Sequence, residues 1–205
     1  MELEALKPSL QTRFTCCWRR ALLPLFVGLC LLGSAPEEAI AEGPQEAEEY
    51  AAQTAFVYAF AKFVSWPFDA VDTADTSFVI GVMGEPELAE SLGTLLGKRI
   101  HNRAIFTYVR DDTSRFDPCE VLICSIDDLQ MLYGGDPHLL HAVLTIGNDV
   151  GFAEAGGVLE LTFVDEHLGF IVNRAAARRA GLELSASLFN LAARVIDADG
   201  RDPQP

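Results

Sequence analysis

The sequence has none of the short catalytic signatures that can be read from a single chain. G-x-S-x-G, H-E-x-x-H and C-x-x-C are all missing, so a serine hydrolase, a zinc protease and a thiol oxidoreductase each lack the required nucleophile or ligand spacing. G-x-G-x-x-G and G-x-x-x-x-G-K-[ST] are missing too, which leaves no glycine cradle for a nucleotide phosphate. Positive charge is scarce: 15 Lys and Arg stand against 30 Asp and Glu, a formal charge of -15. Such a surface repels phosphate backbones, so a nucleic-acid partner is not expected, and a basic protein surface or a small ligand is favoured. Acidity of this kind also serves the plain solubility of an exported protein. His138 and His141 stand three apart, but no third ligand is nominated, so neither a metal nor any other cofactor is expected.

Residues 1–41 read as a targeting segment. Arg13, Arg19 and Arg20 form its basic start, Ala21 to Leu32 its apolar stretch, and Ala39-Ile40-Ala41 a small-x-small cleavage signal, with Ala35 a second cut point. Left uncut, it would be a membrane anchor, yet its apolar run is about a dozen residues where a spanning helix needs about twenty. Cys30 does not mark a lipoprotein, because Leu29 precedes it and apolar residues continue beyond it. The segment holds four basic and four acidic residues, so its removal leaves the net charge unchanged. It also removes Cys16, Cys17 and Cys30. The two cysteines left, Cys119 and Cys124, flank a strand-like run, and extended chain would part their Cα atoms by roughly 16 Å, where a disulfide needs less than about 7 Å. A bridge requires Cys119 to fold back through Asp117-Pro118. Otherwise Cys124 is a small buried apolar side chain and Cys119 stays open to an intermolecular bridge.

The remaining chain suffices for one domain with a real core. Residues 42–48 read as a linker, the domain spans 49–196, and 197–205 form a polar tail. From Glu49 to Ser65, Phe56, Val57, Phe60, Phe63 and Val64 recur at helical spacing until Trp66-Pro67 ends the pattern. Ser77 to Met83 is a buried strand ending at Gly84, and Pro86 opens a helix to about Leu96. Lys98, Arg99 and Arg103 surround a basic turn, expected as a solvated loop or a contact for a carboxylate. Strands follow at Ala104 to Val109 and Glu120 to Ser125, then a helix whose amino end favours Asp127 and Asp128.

The stretch from Val143 to Arg174 organises the rest. A short buried strand, Val143 to Ile146, leads through a Gly- and Asn-bearing loop into two strands joined at Asp165-Glu166-His167. Leu159, Leu161 and Phe163 alternate with Glu160 and Thr162, and Leu168, Phe170 and Val172 repeat the pattern. Asn173 is placed to cap a helix that Gly181 stops. A closing helix runs from Ser185 with Leu188, Leu191, Ala192 and Val195 on one stripe. The expected fold is α/β: a single three-layer-like domain, a mixed sheet flanked by helices, with a C-terminal β-hairpin followed by two helices.

Taken in order, YAFAKFVSWP (Tyr58 to Pro67), FVIGVMG (Phe78 to Gly84), KRIHNRAI (Lys98 to Ile105), CEVLICS (Cys119 to Ser125), LTIGNDVGFAEAGGVLEL (Leu144 to Leu161) and NRAAARRAGLELSASLFNLA (Asn173 to Ala192) make the chain resemble the YfiR family of YfiR/HmsC-like proteins. The resemblance implies a small, non-catalytic periplasmic domain that forms homodimers. It further implies a regulator that restrains an inner-membrane diguanylate cyclase or another membrane sensor, lowering cyclic di-GMP and biofilm formation. The alternative is a solute-sensing module that binds a small molecule. Trp66, Pro67, Gly147, Phe152, Gly156, Gly157 and Asn173 match positions of the family pattern. Phe60, Trp66 and Phe152 are nominated for a partner surface, since exposed aromatics carry binding energy. Glu160, Asn173 and Arg178 are nominated for a small-ligand pocket. The best-known member is stabilised by disulfides, for which this chain has too few cysteines once the export segment is gone.

Overall fold

The computed structural model describes residues 44–67, 77–110, 117–165 and 167–197. The expected export segment, and the tail beyond residue 197, lie outside the described residues. Helix α1 (Pro44–Phe63) runs directly into β1 (Val64–Ser65). Next come β2 (Phe78–Met83), α2 (Pro86–Leu92), β3 (Arg99–Ile100), β4 (Arg103–Arg110), β5 (Val121–Ile123) and α3 (Ile126–Gly135). The chain continues through β6 (Leu144–Gly147), β7 (Leu159–Val164), β8 (His167–Asn173), α4 (Arg174–Arg179), β9 (Glu183–Leu184), α5 (Ala186–Leu191) and β10 (Arg194–Ile196).

Local chemistry sets several of these boundaries. Pro86 opens α2, where its missing N–H costs no helical bond. At α3 the Ser125 hydroxyl accepts from the Asp128 N–H at 3.2 Å, while the Asp128 carboxylate accepts from the Ser125 N–H at 3.4 Å. Asp128 thus closes a capping box in addition to facing the helix dipole. Asn173 Oδ1 accepts from the Ala176 N–H at 2.8 Å and starts α4, and Gly181, at φ +74°, turns the chain after it.

Eight strands form one sheet in the order β10-β8-β7-β6-β5-β2-β4-β3. Strands β4, β2, β5, β6 and β7 are parallel, a doubly wound order of the 2-1-3-4-5 type when β2 is counted first. β8 returns antiparallel to β7, β10 joins β8 in parallel, and β3 closes a short hairpin on β4. Phe78, Ile80 and Val82 of β2 face one side, against Val57 and Phe60 of α1, Leu88 and Leu92 of α2, Ala176 of α4 and Leu188 of α5. Val79 and Met83 face the other side, with Leu129 and Leu132 of α3 and with Phe152. The domain is therefore the expected three-layer α/β fold, and cover on both faces explains why β2, β5 and β6 read as apolar runs.

Several expected boundaries move. α1 begins at Pro44, so residues 44–48 are helical and not linker. It also stops at Phe63, because Val64 and Ser65 pair antiparallel with Leu184 and Glu183 in a separate two-stranded ribbon. α2 ends at Leu92 and gives way to a 3-10 turn. The closing helix stops at Leu191, and Val195 lies in β10 opposite Val172. Cys119 and Cys124 are free thiols, both buried.

Candidate functional site

The loop between β6 and β7 is organised by its own side chains. Phe152 is fully buried, its ring clasped between two glycines: a Cβ on Gly147 would lie 2.4 Å from one ring carbon, and a Cβ on Gly157 2.0 Å from another. Glu160, 3% exposed, accepts from the Gly151 N–H at 3.3 Å and the Ala153 N–H at 3.0 Å. Asn173 donates through Nδ2 to the Ala153 carbonyl at 2.6 Å while its oxygen caps α4. Thr145 accepts from the Val158 N–H at 3.0 Å. Glu160 and Asn173, nominated for ligand contact, are thus engaged in holding a loop whose backbone N–H and C=O groups need partners once buried. Phe152 offers no surface to a partner. Arg178 is exposed near the end of α4, whereas Glu160 is buried.

The carboxyl ends of β2, β5 and β6, where doubly wound sheets commonly take ligands, carry Glu85, Asp128, Asn148 and Asp149. Asp149 accepts from the Ile126 N–H at 2.7 Å. Glu85 is held above its usual range by burial, against a hydrogen bond from Asn148 that lowers it, with Asp149 and Glu87 raising it further. The carboxylates gathered here repel phosphate. No cluster of metal-ligating side chains occurs among the described residues. Burial pushes the Cys119 thiol up to about 12, and Cys124 is likewise raised, first by burial and then by Asp128. Neither thiol is a nucleophile at neutral pH.

An apolar groove opens where α1, α5 and β8 meet. The β1–β9 ribbon and a 2.9 Å bond from the Ser185 N–H to the Phe63 carbonyl tie the end of α1 to the start of α5. Between them lies a cavity of about 250 Å3, lined by Ala55, Phe56, Ala59, Phe60, Phe63, Phe170, Leu188 and Leu191. Phe60 stacks edge-on to Phe170 at 4.8 Å and to Phe56 at 5.5 Å. Ala55 and Ala59 keep the α1 side of the groove open. Phe60 itself is 2% exposed, whereas Phe63 (42%) and Leu191 (69%) stand at the rim. Phe163, which alternation puts on the face of Leu159 and Leu161, is 58% exposed; it lies opposite Leu168, two pairs nearer the turn than Leu161 and Phe170. The lining holds no polar side chain, so the groove can take an apolar or aromatic group and has nothing with which to orient a polar solute.

A second, smaller cleft of about 150 Å3 lies among Ser65, Trp66, Phe78, His101 and Arg103. Trp66 is half-buried, edge-on to Phe78 at 5.3 Å, and donates through Nε1 to the Glu120 carbonyl at 3.3 Å. His101 Nε2 sits 3.2 Å from the carbonyls of both Ala61, near the end of α1, and Val64, which opens β1. Arg103 is buried and pairs with Glu120, whose other oxygen accepts from the Val79 N–H at 2.7 Å. The basic turn therefore does contact a carboxylate, one from its own chain. Its two central residues, His101 and Asn102, take positive φ, as a tight hairpin turn demands.

Sequence reasoning singled out Phe60 and Trp66, yet missed Phe63, Leu188 and Leu191. The signal was present in α1: Phe56, Ala59, Phe60 and Phe63 extend its apolar surface beyond the single stripe that one core contact requires.

A family model described as YfiR/HmsC-like matches residues 50–193. No curated protein matches the chain. Among solved structures, a conserved domain protein from Vibrio cholerae O1 biovar El Tor shares 10% identity, with a TM-score of 0.47; the match covers 71% of this chain and 60% of that one. The chain thus spans less than two thirds of that protein's length.

Proposed function

The chain belongs to the YfiR/HmsC-like family, and from that premise we propose that it is an exported, non-catalytic regulator that restrains an inner-membrane signalling protein. The partner in this reading is a diguanylate cyclase, held in its inactive state from the periplasmic side, so that cyclic di-GMP and biofilm formation stay low. The observation that carries the proposal is the groove between α1 and α5: wholly apolar, open at Phe63 and Leu191, and sized for one large side chain. Burying such a side chain is worth about 1.5–3 kcal/mol. That equals roughly a ten- to hundredfold preference for whichever partner state presents it, enough to shift a two-state receptor. No helix among the described residues is long and apolar enough to cross a membrane, which fits docking from the aqueous side. The solute-sensing alternative is weaker on the same observation, since the cavity lacks polar lining and falls below the roughly 300–1,000 Å3 of ligand pockets. A homodimer forms part of the reading.

The test compares cellular cyclic di-GMP in a strain lacking this chain with strains restored by the native chain, by Phe63→Asp or by Leu191→Asp. Deletion raises the level and the native chain lowers it again, while the two variants, exported and folded, do not. If deletion changes nothing, the regulatory reading is wrong; if both variants restore fully, the groove is not the docking site.

A further inference from the structure

The sheet ends on one side in a strand that is only partly covered. β4 pairs with β2 through six residues, Ile105 to Arg110, whereas β3 covers only Arg103 and Ala104 on its other side, with the Ile105 N–H donating to the Lys98 carbonyl at 3.2 Å. The Gly84 N–H donates to the Arg110 carbonyl at 3.0 Å. Because N–H and C=O of one residue point to the same side of a strand and alternate along it, the even-numbered residues of β4 serve β2 and the odd-numbered ones face outward. Thr107 and Val109 therefore direct their N–H and C=O groups away from the sheet, and among the described residues nothing accepts or fills them. Phe106, 53% exposed, and Val109, 44% exposed, flank these groups. Between Ile105 and Arg110 no proline, lysine or bulge blunts the edge, devices by which edge strands commonly avoid pairing.

We propose that a second copy of this chain docks on this edge, β4 against β4, antiparallel and with its two-fold axis at Tyr108. This rests on the self-association included in the reading above and supplies its interface. The register follows from the positions of the free groups. With the axis at Tyr108, Thr107 of one copy lies opposite Val109 of the other, and the N–H and C=O groups of these two residues on each edge make four hydrogen bonds. An axis at Thr107 would instead oppose Val109 to Ile105, whose N–H is already taken by Lys98. The favoured register also sets Phe106 opposite Arg110, which Asp117 holds in an ion pair, as a cross-strand pair on one face. A copy of this chain suits the edge because, under a two-fold axis, its own free donors and acceptors fall opposite those of the first. Charge agrees: in a chain of net charge -15, the exposed Lys98 and Arg99 stand beside this edge, while Arg103 and Arg110 are already paired with Glu120 and Asp117, so two acidic copies repel one another less there than elsewhere. One short edge buries less than the about 800 Å2 per partner of a standard interface, so the dimer is weak and concentration-dependent.

The test is sedimentation of the exported chain together with cross-linking. Val109→Pro removes one outward N–H per copy and none directed at β2, so two of the four bonds are lost and dissociation should strengthen by about thirtyfold. Non-hydrogen-bonded pairs bring Cα atoms to about 4.5 Å, within disulfide reach. The double variant Phe106→Cys with Arg110→Cys should therefore oxidise to a covalent dimer, while either single variant should not, because residue 106 lies opposite 110 and not itself. The native thiols are buried and give little background. A chain that stays monomeric at every concentration removes both the dimer and this interface, and leaves the groove reading to its own assay. A dimer that survives Val109→Pro unchanged, or in which the double cysteine variant cross-links no better than the single ones, places the contact elsewhere and overturns this proposal alone.

Discussion

Gly157→Ala tests most directly whether the Phe152 clasp holds the β6–β7 loop. Gly157 has no positive φ, so the added methyl carries no backbone penalty and the whole effect is steric. Its Cβ would lie 2.0, 2.3 and 2.8 Å from three atoms of the Phe152 ring, closer than non-bonded carbons approach. The ring has little room to retreat, because the Gly147 backbone lies so close to its opposite edge that a Cβ there would fall 2.4 Å from a ring carbon. Nor can the loop swing out freely, since Glu160 and Asn173 hold it at Gly151 and Ala153. Overpacking of a closed site costs about 1–3 kcal/mol, and here the upper end, about 3 kcal/mol, is expected. In a domain of this size that lowers Tm by about 10 °C. Phe152→Leu alone leaves a small void and costs about 1–2 kcal/mol. Combined with Gly157→Ala it makes room for the methyl, so the double variant should be less destabilised than the sum by about 2 kcal/mol. Gly93→Ala is the control: its φ is −55° and nothing lies within 4 Å of the added carbon, so it should be neutral or slightly stabilising. Urea unfolding followed by circular dichroism measures all four variants. A loss below about 0.5 kcal/mol for Gly157→Ala, or an additive cycle, would refute the clasp.

Four further outcomes follow from the structure. Glu160→Ala leaves the Gly151 and Ala153 N–H groups without their acceptor and should cost about 2–4 kcal/mol in urea unfolding, with Glu160→Gln milder because one oxygen remains. Glu120→Ala strands the buried Arg103 guanidinium and should cost about 3–5 kcal/mol, more than the paired replacement Arg103→Met with Glu120→Leu, which removes both charges. Cys119 titrates near 12 in the folded chain against an ordinary 9.0. The unfolded chain therefore loses its proton first, and the stability this thiol contributes is complete below about pH 9 and declines as pH rises toward about 12. Both thiols should resist a thiol reagent at pH 8 until denaturant is added; fast labelling of the native chain would contradict their burial.

How far the sequence reaches is clearest in the C-terminal third. Asn173 was legible as a cap and Gly181 as a stop, because both act on backbone groups a few residues away. The hairpin was legible as well, and its observed register, Leu159 opposite Val172 through Val164 opposite His167, keeps the alternation intact. Alternation states which residues share a face but not how far that face is covered. Leu159 and Leu161 lie beneath the helix layer, while Phe163, two residues on, extends past it. On the opposite face Glu160 is buried because the loop of residues 148–157 folds over it. Polarity suggested a ligand contact for Glu160 and Asn173, and a buried loop needing acceptors and donors gives those side chains another use. Val195 fitted a helical stripe, but a long-range pairing with β8 draws it into β10.

The sequence by itself determined the family, the α/β class, the apolar runs that become the central strands, and the caps and turns, since each depends on periodicity or on bonds within a few residues. The tertiary structure alone decided the groove and the open edge. The groove exists because β1 meets β9 across more than a hundred residues of chain and brings α5 beside α1; the edge exists because β3 is too short to cover β4. Both depend on where distant segments end relative to one another, a quantity that no local pattern of side chains encodes.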